Sequence, residues 1–161
     1  MPADTEELFE DCNCLALRQA ARQATRFYDR YLATAELRTT QFSILARLKR
    51  LGPMTINALA CELVMDRTTL GRTMLPLERD GLITVKDATS DRRSKELHLT
   101  RAGAERLDAA RKLWSEAQSR FDAGFGAERA SNLRNELRAV ASGELGASPE
   151  VGRSTRGLAG P

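Results

Sequence analysis

Residues 66–83, DRTTLGRTMLPLERDGLI, predict a short helix with hydrogen-bonding side chains on one face. Leu70, Met74 and Leu77 recur at helical spacing and form an apolar stripe that would pack inward. Thr68 and Arg72 then point outward. Short hydroxyls reach base edges in a major groove without clashing, and one arginine can pair with two acceptors of one guanine. This outward face is a candidate nucleic-acid contact, and the alternative is an ordinary solvated helix face.

Neighbouring residues of the same segment complete this candidate surface. Arg67 and Thr69 are further candidate DNA contacts, and Arg79, one turn from the helix end, would meet a phosphate or solvent. Gly71 would let the backbone approach a ligand closely. Pro76 removes one backbone hydrogen bond, which predicts a local kink that is tolerated near the helix end.

A second candidate surface follows residue 81, where the period of the apolar residues changes from 3.6 to 2. Residues 83–86 and 96–99 alternate apolar and polar side chains, which predicts the two strands of a hairpin. The intervening DATSDRR would form a charged tip suited to phosphates or to a narrow minor groove. The alternative is an exposed turn whose ion pairs contribute little. The candidate contacts are Lys86, Asp91, Arg92, Arg93 and Lys95.

The cysteines are the other candidates for chemistry. Cys12, Cys14 and Cys61 are odd in number, so they form no disulfide framework. His98 is the one histidine, so a Cys/His zinc set of ordinary spacing cannot be assembled. Cys12 and Cys14 are candidate oxidant-sensing thiols, and Arg18, one turn from Cys14, would favour the reactive thiolate. Alternatively they are small core residues, and Cys61 lies among core-type positions.

Four arginines of the first helix stand at steps of four residues: Arg18, Arg22, Arg26 and Arg30. The favoured interpretation is a solvated face whose ion pairs involve Asp29, Glu36 or a partner subunit. In the alternative interpretation, one or two of these arginines bind the carboxylate of an aromatic acid.

A framework of helices must position these candidates. Helical periodicity predicts helices over residues 8–34, 39–51, 56–63 and 67–80. Thr55 and Asp66 suit the N-cap positions of the two short helices, which form the pattern of a helix-turn-helix. After the hairpin, Thr100 would cap a long helix, and GFGAE separates it from a last helix. The tail from residue 146 is rich in small and turn residues and is expected to be mobile.

The sequence resembles the MarR family of bacterial transcription regulators over roughly residues 8–145. The blocks that carry the resemblance are RTTQFSILARL, INALACELVMDRTTLGRTMLPLERDGLI and DRRSKELHLTRAG, in this order and spacing. The implied fold is mainly α with a small two- or three-stranded β wing, a winged helix-turn-helix framed by N- and C-terminal dimerisation helices. The implied division is 1–36 for the N-terminal helix, 37–101 for the DNA-binding domain, 102–145 for the C-terminal helices and 146–161 for a flexible tail.

The resemblance implies a homodimer that binds a pseudo-palindromic operator in double-stranded DNA and usually represses until a small molecule or an oxidant releases it. In the family an aspartate orients an arginine two residues later for the minor groove, and Asp91 and Arg93 match that pattern. Some members sense peroxides through a cysteine of the first helix, which implies Cys12 or Cys14. The apolar stripes of the terminal helices exceed the needs of one winged domain and would be buried in a partner. The candidate dimer contacts are Trp114, Phe121, Leu133, Leu137 and Val140.

Composition and charge limit which other classes of function the chain could have. The formal net charge is +3, and residues 38–51 hold four Lys or Arg and no Asp or Glu, as expected for contact with a polyanion. No apolar run approaches the ~18–20 residues needed to cross a bilayer, and the acidic N-terminus lacks a secretory pattern. A cytoplasmic protein without membrane contact or cofactor is therefore expected.

Two alternatives to a regulator remain open. One is a thiol-dependent redox enzyme that uses Cys12 or Cys14. The single histidine and the lack of a paired acid–base constellation weigh against it. The other is a protein-interaction module that has lost DNA binding, against which the outward face with Arg72, Asp91 and Arg93 weighs.

Overall fold

The computed structural model describes residues 11–88 and 94–143, which are mostly helical with a small antiparallel sheet. The helices of this part of the chain are α1 (Asn13–Leu32), α2 (Thr39–Leu51), α3 (Ile56–Glu62), α4 (Arg67–Arg79), α5 (Arg101–Phe125) and α6 (Ala127–Ala141). The strands are β1 (Met54–Thr55), β2 (Ile83–Asp87) and β3 (Lys95–Leu99). The expected fold class, mainly α with a small β wing, is confirmed. None of the described helices combines the length and the apolar character that crossing a membrane requires.

The first helix is shorter than the sequence predicts. Asp11 lies in a turn and Cys12 is the N-cap, so the expectation of one continuous helix from residue 8 is wrong. The Cys12 sulfur accepts a hydrogen bond from the backbone N–H of Leu15 at 3.4 Å. α1 ends at Leu32, and a short 3-10 helix, Ala33–Ala35, leads to Glu36 in the left-handed region.

We call residues 37–99 the head, which contains the helix-turn-helix and the sheet. The side chains of Thr55 and Asp66 cap α3 and α4, as predicted. The sheet has three strands in the order β1-β3-β2, because the two-residue β1 pairs antiparallel with β3 at Met54 and Leu97. The hairpin expected from the alternating pattern is therefore extended by one short strand.

The core of the head closes around the inward faces of its helices and strands. The predicted inward stripe of α4 is confirmed, because Leu70, Met74 and Leu77 are all buried. α4 runs through Pro76 to its end at Arg79. The large side chains of the head that are fully buried are Ile44, Leu45, Leu59, Leu70, Leu77, Ile83 and Leu97.

The junction between the head and α5 depends on a close backbone approach. Thr100 caps α5 as predicted, and its hydroxyl also donates to the carbonyl of Gly81 at 2.7 Å. A Cβ atom at Gly103 would lie 2.0 Å from the backbone carbonyl oxygen of Leu82. Only glycine fits there, so the first turn of α5 can sit directly against the start of β2.

We call α1, α5 and α6 the stem. Phe27, Tyr28 and Phe121 form an aromatic cluster between α1 and α5. The hydroxyl of Tyr28 donates to Oε1 of Gln118 at 2.8 Å. Burial raises the pKa of Tyr28 above its ordinary value, with a smaller contribution from the charge of Asp122. This network ties α1 to α5 within one chain.

Candidate nucleic-acid interface

The candidate interface is the outward face of α4, whose first turn is fixed by its N-cap. A carboxylate oxygen of Asp66 accepts the backbone N–H of Thr69 at 2.8 Å. Hydrogen bonds from the Thr69 side chain and backbone hold the pKa of Asp66 below its ordinary value. The cap therefore keeps a negative charge at a helix start, where the dipole favours it.

The DNA contacts that the sequence predicts within α4 are all exposed. The exposed candidates are Arg67, Thr68, Thr69 and Arg72. Neither Arg67 nor Arg72 forms an ion pair with a carboxylate in the described ranges, whereas Arg79 bonds Asp80 at 2.9 Å. The two guanidinium groups near the start of α4 are therefore available to an external acceptor, and the buried stripe beneath them fixes their direction.

The turn between α3 and α4 holds a conformation that sequence patterning did not reveal. Val64 adopts φ 51°, a left-handed conformation that is rare for a β-branched residue, and its side chain is exposed. The backbone N–H of Met65 reaches back to the carbonyl of Ala60 at 2.9 Å, which closes the turn. This tight turn sets the angle at which α4 leaves α3.

The wing contributes a second group of cations. Lys86 on β2 is exposed, whereas Lys95 forms an ion pair with Asp87 across the strands. The predicted minor-groove residues Asp91, Arg92 and Arg93 lie outside the described residues. Lys86 and the exposed residues of α4 thus both belong to the head. Contact of the wing tip with DNA stays a prediction.

The candidate redox residues lie at the start of α1. Cys14 and Arg18 are exposed on the helix, while Cys12 lies just before it as the N-cap. Only Cys14 therefore lies within the helix, although the helix predicted over residues 8–34 would contain both thiols. Cys61 is exposed, so its assignment to a core position is also wrong. Cys61 lies on α3, and the side of α3 that the core covers is occupied by Leu59 and Ala60.

The four arginines of α1 were expected to form ion pairs with Asp29 or Glu36, and this expectation is wrong. Asp29 accepts hydrogen bonds from the backbone N–H and the hydroxyl of Thr39, both at 2.7 Å, at the start of α2. Glu36 pairs instead with Arg106 at 2.9 Å. These carboxylates are engaged in connecting helices, which periodicity within one helix could not reveal.

A groove beside α1 is the other candidate binding site. It has a volume of about 400 Å³ and is open to solvent. Its lining combines two arginines of α1 with Arg38 at the start of α2, and the full set is Gln23, Arg26, Asp29, Arg30 and Arg38. Sequence spacing indicated Arg26 and Arg30, but Arg38 joins them only because α1 and α2 pack together.

The apolar residues proposed for dimerisation are only partly buried within one chain. Trp114, Leu133 and Leu137 keep 37–39% of their surface exposed, although Trp114 stacks on Phe42 within the chain. Phe121 and Val140 are half-buried. Leu15 and Leu17 on α1 are exposed to a similar extent.

Comparisons with known proteins place these features in a family. The model of the MarR family matches residues 37–95, which cover almost the whole head. The comparison with curated proteins by sequence gives no significant match.

Solved structures match over most of the chain. The M. tuberculosis transcriptional regulator MosR in complex with DNA is 34% identical, with a TM-score of 0.74 over 83% of this chain and 96% of that one. A probable transcriptional regulator from Pseudomonas aeruginosa is 26% identical, with a TM-score of 0.74 over 82% and 98%. A MarR variant from E. coli in complex with operator DNA is 20% identical, with a TM-score of 0.70 over 78% and 90%, which shows a shared fold.

Proposed function

This chain belongs to the MarR family of DNA-binding transcription regulators, and on that premise we propose that it is a homodimeric repressor. It binds a pseudo-palindromic operator, and a small molecule or oxidation of a thiol releases it. The observation that carries the proposal is the outward face of α4. There Thr68 and Arg72 are exposed above the buried side chain of Leu70. Such a helix can lie in a major groove with its polar residues against base edges.

Each exposed residue of the interface has a distinct proposed role. Arg72 pairs with two acceptors of a guanine, which specifies a base, and Thr68 and Thr69 contact neighbouring base edges or phosphates. Arg67 and Lys86 contact phosphates, which contributes affinity without sequence preference. At the wing tip, Asp91 orients Arg93 toward the minor groove and Arg92 meets a phosphate.

The stem supports a homodimer as the DNA-binding unit. Its partly exposed apolar residues lie on three helices, and a second copy would remove their apolar area from water at about 25 cal/mol per Å². Two α4 helices related by a twofold axis would lie about 34 Å apart, which is one turn of DNA. The apolar contacts proposed for this interface are Trp114, Phe121, Leu133, Leu137 and Val140.

Oxidation of a first-helix thiol is one proposed route of release. A peroxide would convert the thiolate of Cys12 or Cys14 to a sulfenic acid, with hydroxide as the leaving group. Cys14 is exposed on α1, one turn from Arg18, so a peroxide can reach its sulfur. Cys12 caps α1, so its oxidation would also disturb the hydrogen bond that begins the helix.

An aromatic acid in the groove beside α1 is the other proposed route. Arg26, Arg30 and Arg38 provide guanidinium groups that suit a carboxylate, and the volume of about 400 Å³ suits a small ring. Asp29 lines the same groove and caps α2, so a bound acid would change the contact between stem and head. This connection is the physical reason to expect an effect on DNA binding.

Selection of bound sites from random duplex DNA with the purified protein tests the DNA-reading function. We expect a two-part site, and we expect Arg72→Ala to reduce discrimination against a mismatched base by about 1–3 kcal/mol. Arg79→Ala is the matched control in the same helix and should keep that discrimination. Arg92→Ala should weaken binding to all duplexes alike and reduce the salt slope by about 0.9 per lost phosphate contact. Undiminished discrimination by Arg72→Ala would contradict the groove assignment.

The two routes of release are separated by measuring operator affinity with peroxide or with benzoate. If the thiol route operates, peroxide weakens binding of the natural chain, and Cys12→Ser or Cys14→Ser removes the effect. If the groove route operates, benzoate weakens binding and Arg30→Ala removes that effect. An affinity that neither reagent changes would contradict both routes and leave DNA reading intact.

A further inference from the structure

Gly71 stands in the middle of α4, although the fold of the chain gives no reason for a glycine there. A Cβ atom at this position would meet no atom within 4 Å, and the backbone keeps its ordinary helical conformation. Glycine weakens a helix interior relative to alanine. A ligand that packs against the outside of α4 would explain this glycine.

Leu75, one turn after Gly71, is exposed on the same side of the helix. Its side chain keeps 63% of its surface exposed, in contrast to Met74 beside it. Side chains on a helix lean toward its N-terminus, so Leu75 leans toward the space that the missing side chain of Gly71 leaves. We call this exposed surface, formed by Gly71 and Leu75, the notch.

The surroundings of the notch indicate what fills it. Arg72 lies on the same outward face and forms no ion pair in the described ranges, so the ligand presents negative charge or hydrogen-bond acceptors around a small apolar group. In a major groove the 5-methyl group of thymine is the apolar group at the base edges, and the phosphates supply the charge. We propose that the notch receives the methyl group of one thymine in each operator half-site, beside the base that Arg72 reads. This inference rests on the proposed function.

Replacement of single thymines by deoxyuridine tests the notch, because it removes only the methyl group. The probe is the operator selected by the purified protein, with both half-sites substituted at the same symmetric position. At one such position we expect binding to weaken about fourfold per methyl group. Gly71→Ala and Leu75→Ala should bind the thymine operator more weakly and lose the difference between thymine and deoxyuridine. Leu51→Ala, which trims an exposed leucine outside α4, should keep it.

The possible outcomes separate the notch from the DNA-reading function. Gly71→Ala should melt at or above the temperature of the natural chain, so weaker binding by this variant cannot be assigned to unfolding. A selected operator that is insensitive to deoxyuridine at every position would overturn the notch alone. Retention of the full methyl dependence by both Gly71→Ala and Leu75→Ala would likewise overturn the notch alone. Failure to select any operator would overturn the DNA-reading function and the notch together.

Discussion

The head and the stem bury their apolar side chains to different extents. Among the described residues, most of the large side chains that are fully buried lie in the head, and the stem contributes Leu32 and Leu107. The stem instead leaves Trp114 and Leu137 partly exposed on adjoining helices. The exposed apolar residues of the head lie on separate elements and form no such stripe. Because apolar burial is the main driving force of folding, the head is completed within one chain, whereas the stem would be completed by the partner of the proposed dimer.

The largest effect is expected from opening the core of the head. Leu70→Ala should lower the free energy of unfolding by about 2–5 kcal/mol, because Leu70 is fully buried. Urea titrations should give the same loss at low and high protein concentration. Leu75→Ala in the same helix should change the free energy by less than about 0.5 kcal/mol. A loss that depends on concentration would contradict a head that is closed within one chain.

The next effect concerns the stem surface that a partner would cover. Leu137→Glu should weaken the dimer at least about 100-fold, roughly 3 kcal/mol, because it places an unpaired charge in an apolar contact. Sedimentation equilibrium measures the change. Asn135→Glu, an exposed residue on the opposite side of α6, is the control and should leave the dimer intact. Equal effects of the two substitutions would contradict the assignment of this stripe to the interface.

A smaller effect is expected at the junction between the two regions. Gly103→Ala should cost about 1–3 kcal/mol, because the added Cβ collides with the backbone of Leu82. Gly124→Ala near the other end of α5 meets no atom within 4 Å and should stabilise the protein by up to about 1 kcal/mol. Thermal unfolding of the two variants gives the comparison. Stabilisation by both would show that the junction is looser than the close approach of Gly103 indicates.

The smallest effect concerns the polar network within the stem. Tyr28→Phe should cost about 0.5–1.5 kcal/mol through its lost hydrogen bond to Gln118. The folded-state pKa of Tyr28 is raised, so its favourable contribution is complete below the unfolded value of about 10 and is lost as pH rises through the folded value. The natural chain should therefore lose stability more steeply than Tyr28→Phe above pH 10 in urea titrations. Tyr31→Phe is the control and should retain the steep loss, and a parallel decline of Tyr28→Phe would contradict the assignment.

Local signals predicted most of the fold, because helix caps and apolar periodicity act over a few residues. Thr55, Asp66 and Thr100 were identified as N-caps from side-chain type and position alone. The start of α1 was missed because Cys12, an unusual cap, occupies the position. The expected two- or three-stranded wing allowed for a third strand, but the position of β1 was not predicted, because two residues are too few to show a period.

For the candidate site, the sequence by itself determined which side of α4 faces outward, since the spacing of Leu70 and Met74 fixes the opposite face. The tertiary structure alone decided what depends on contacts between distant residues. It placed Arg38 beside Arg30, bound Asp29 to the start of α2, and left Cys61 exposed. Periodicity reports the geometry of one helix, whereas these features depend on which helices pack together, and that is settled only when the whole core closes.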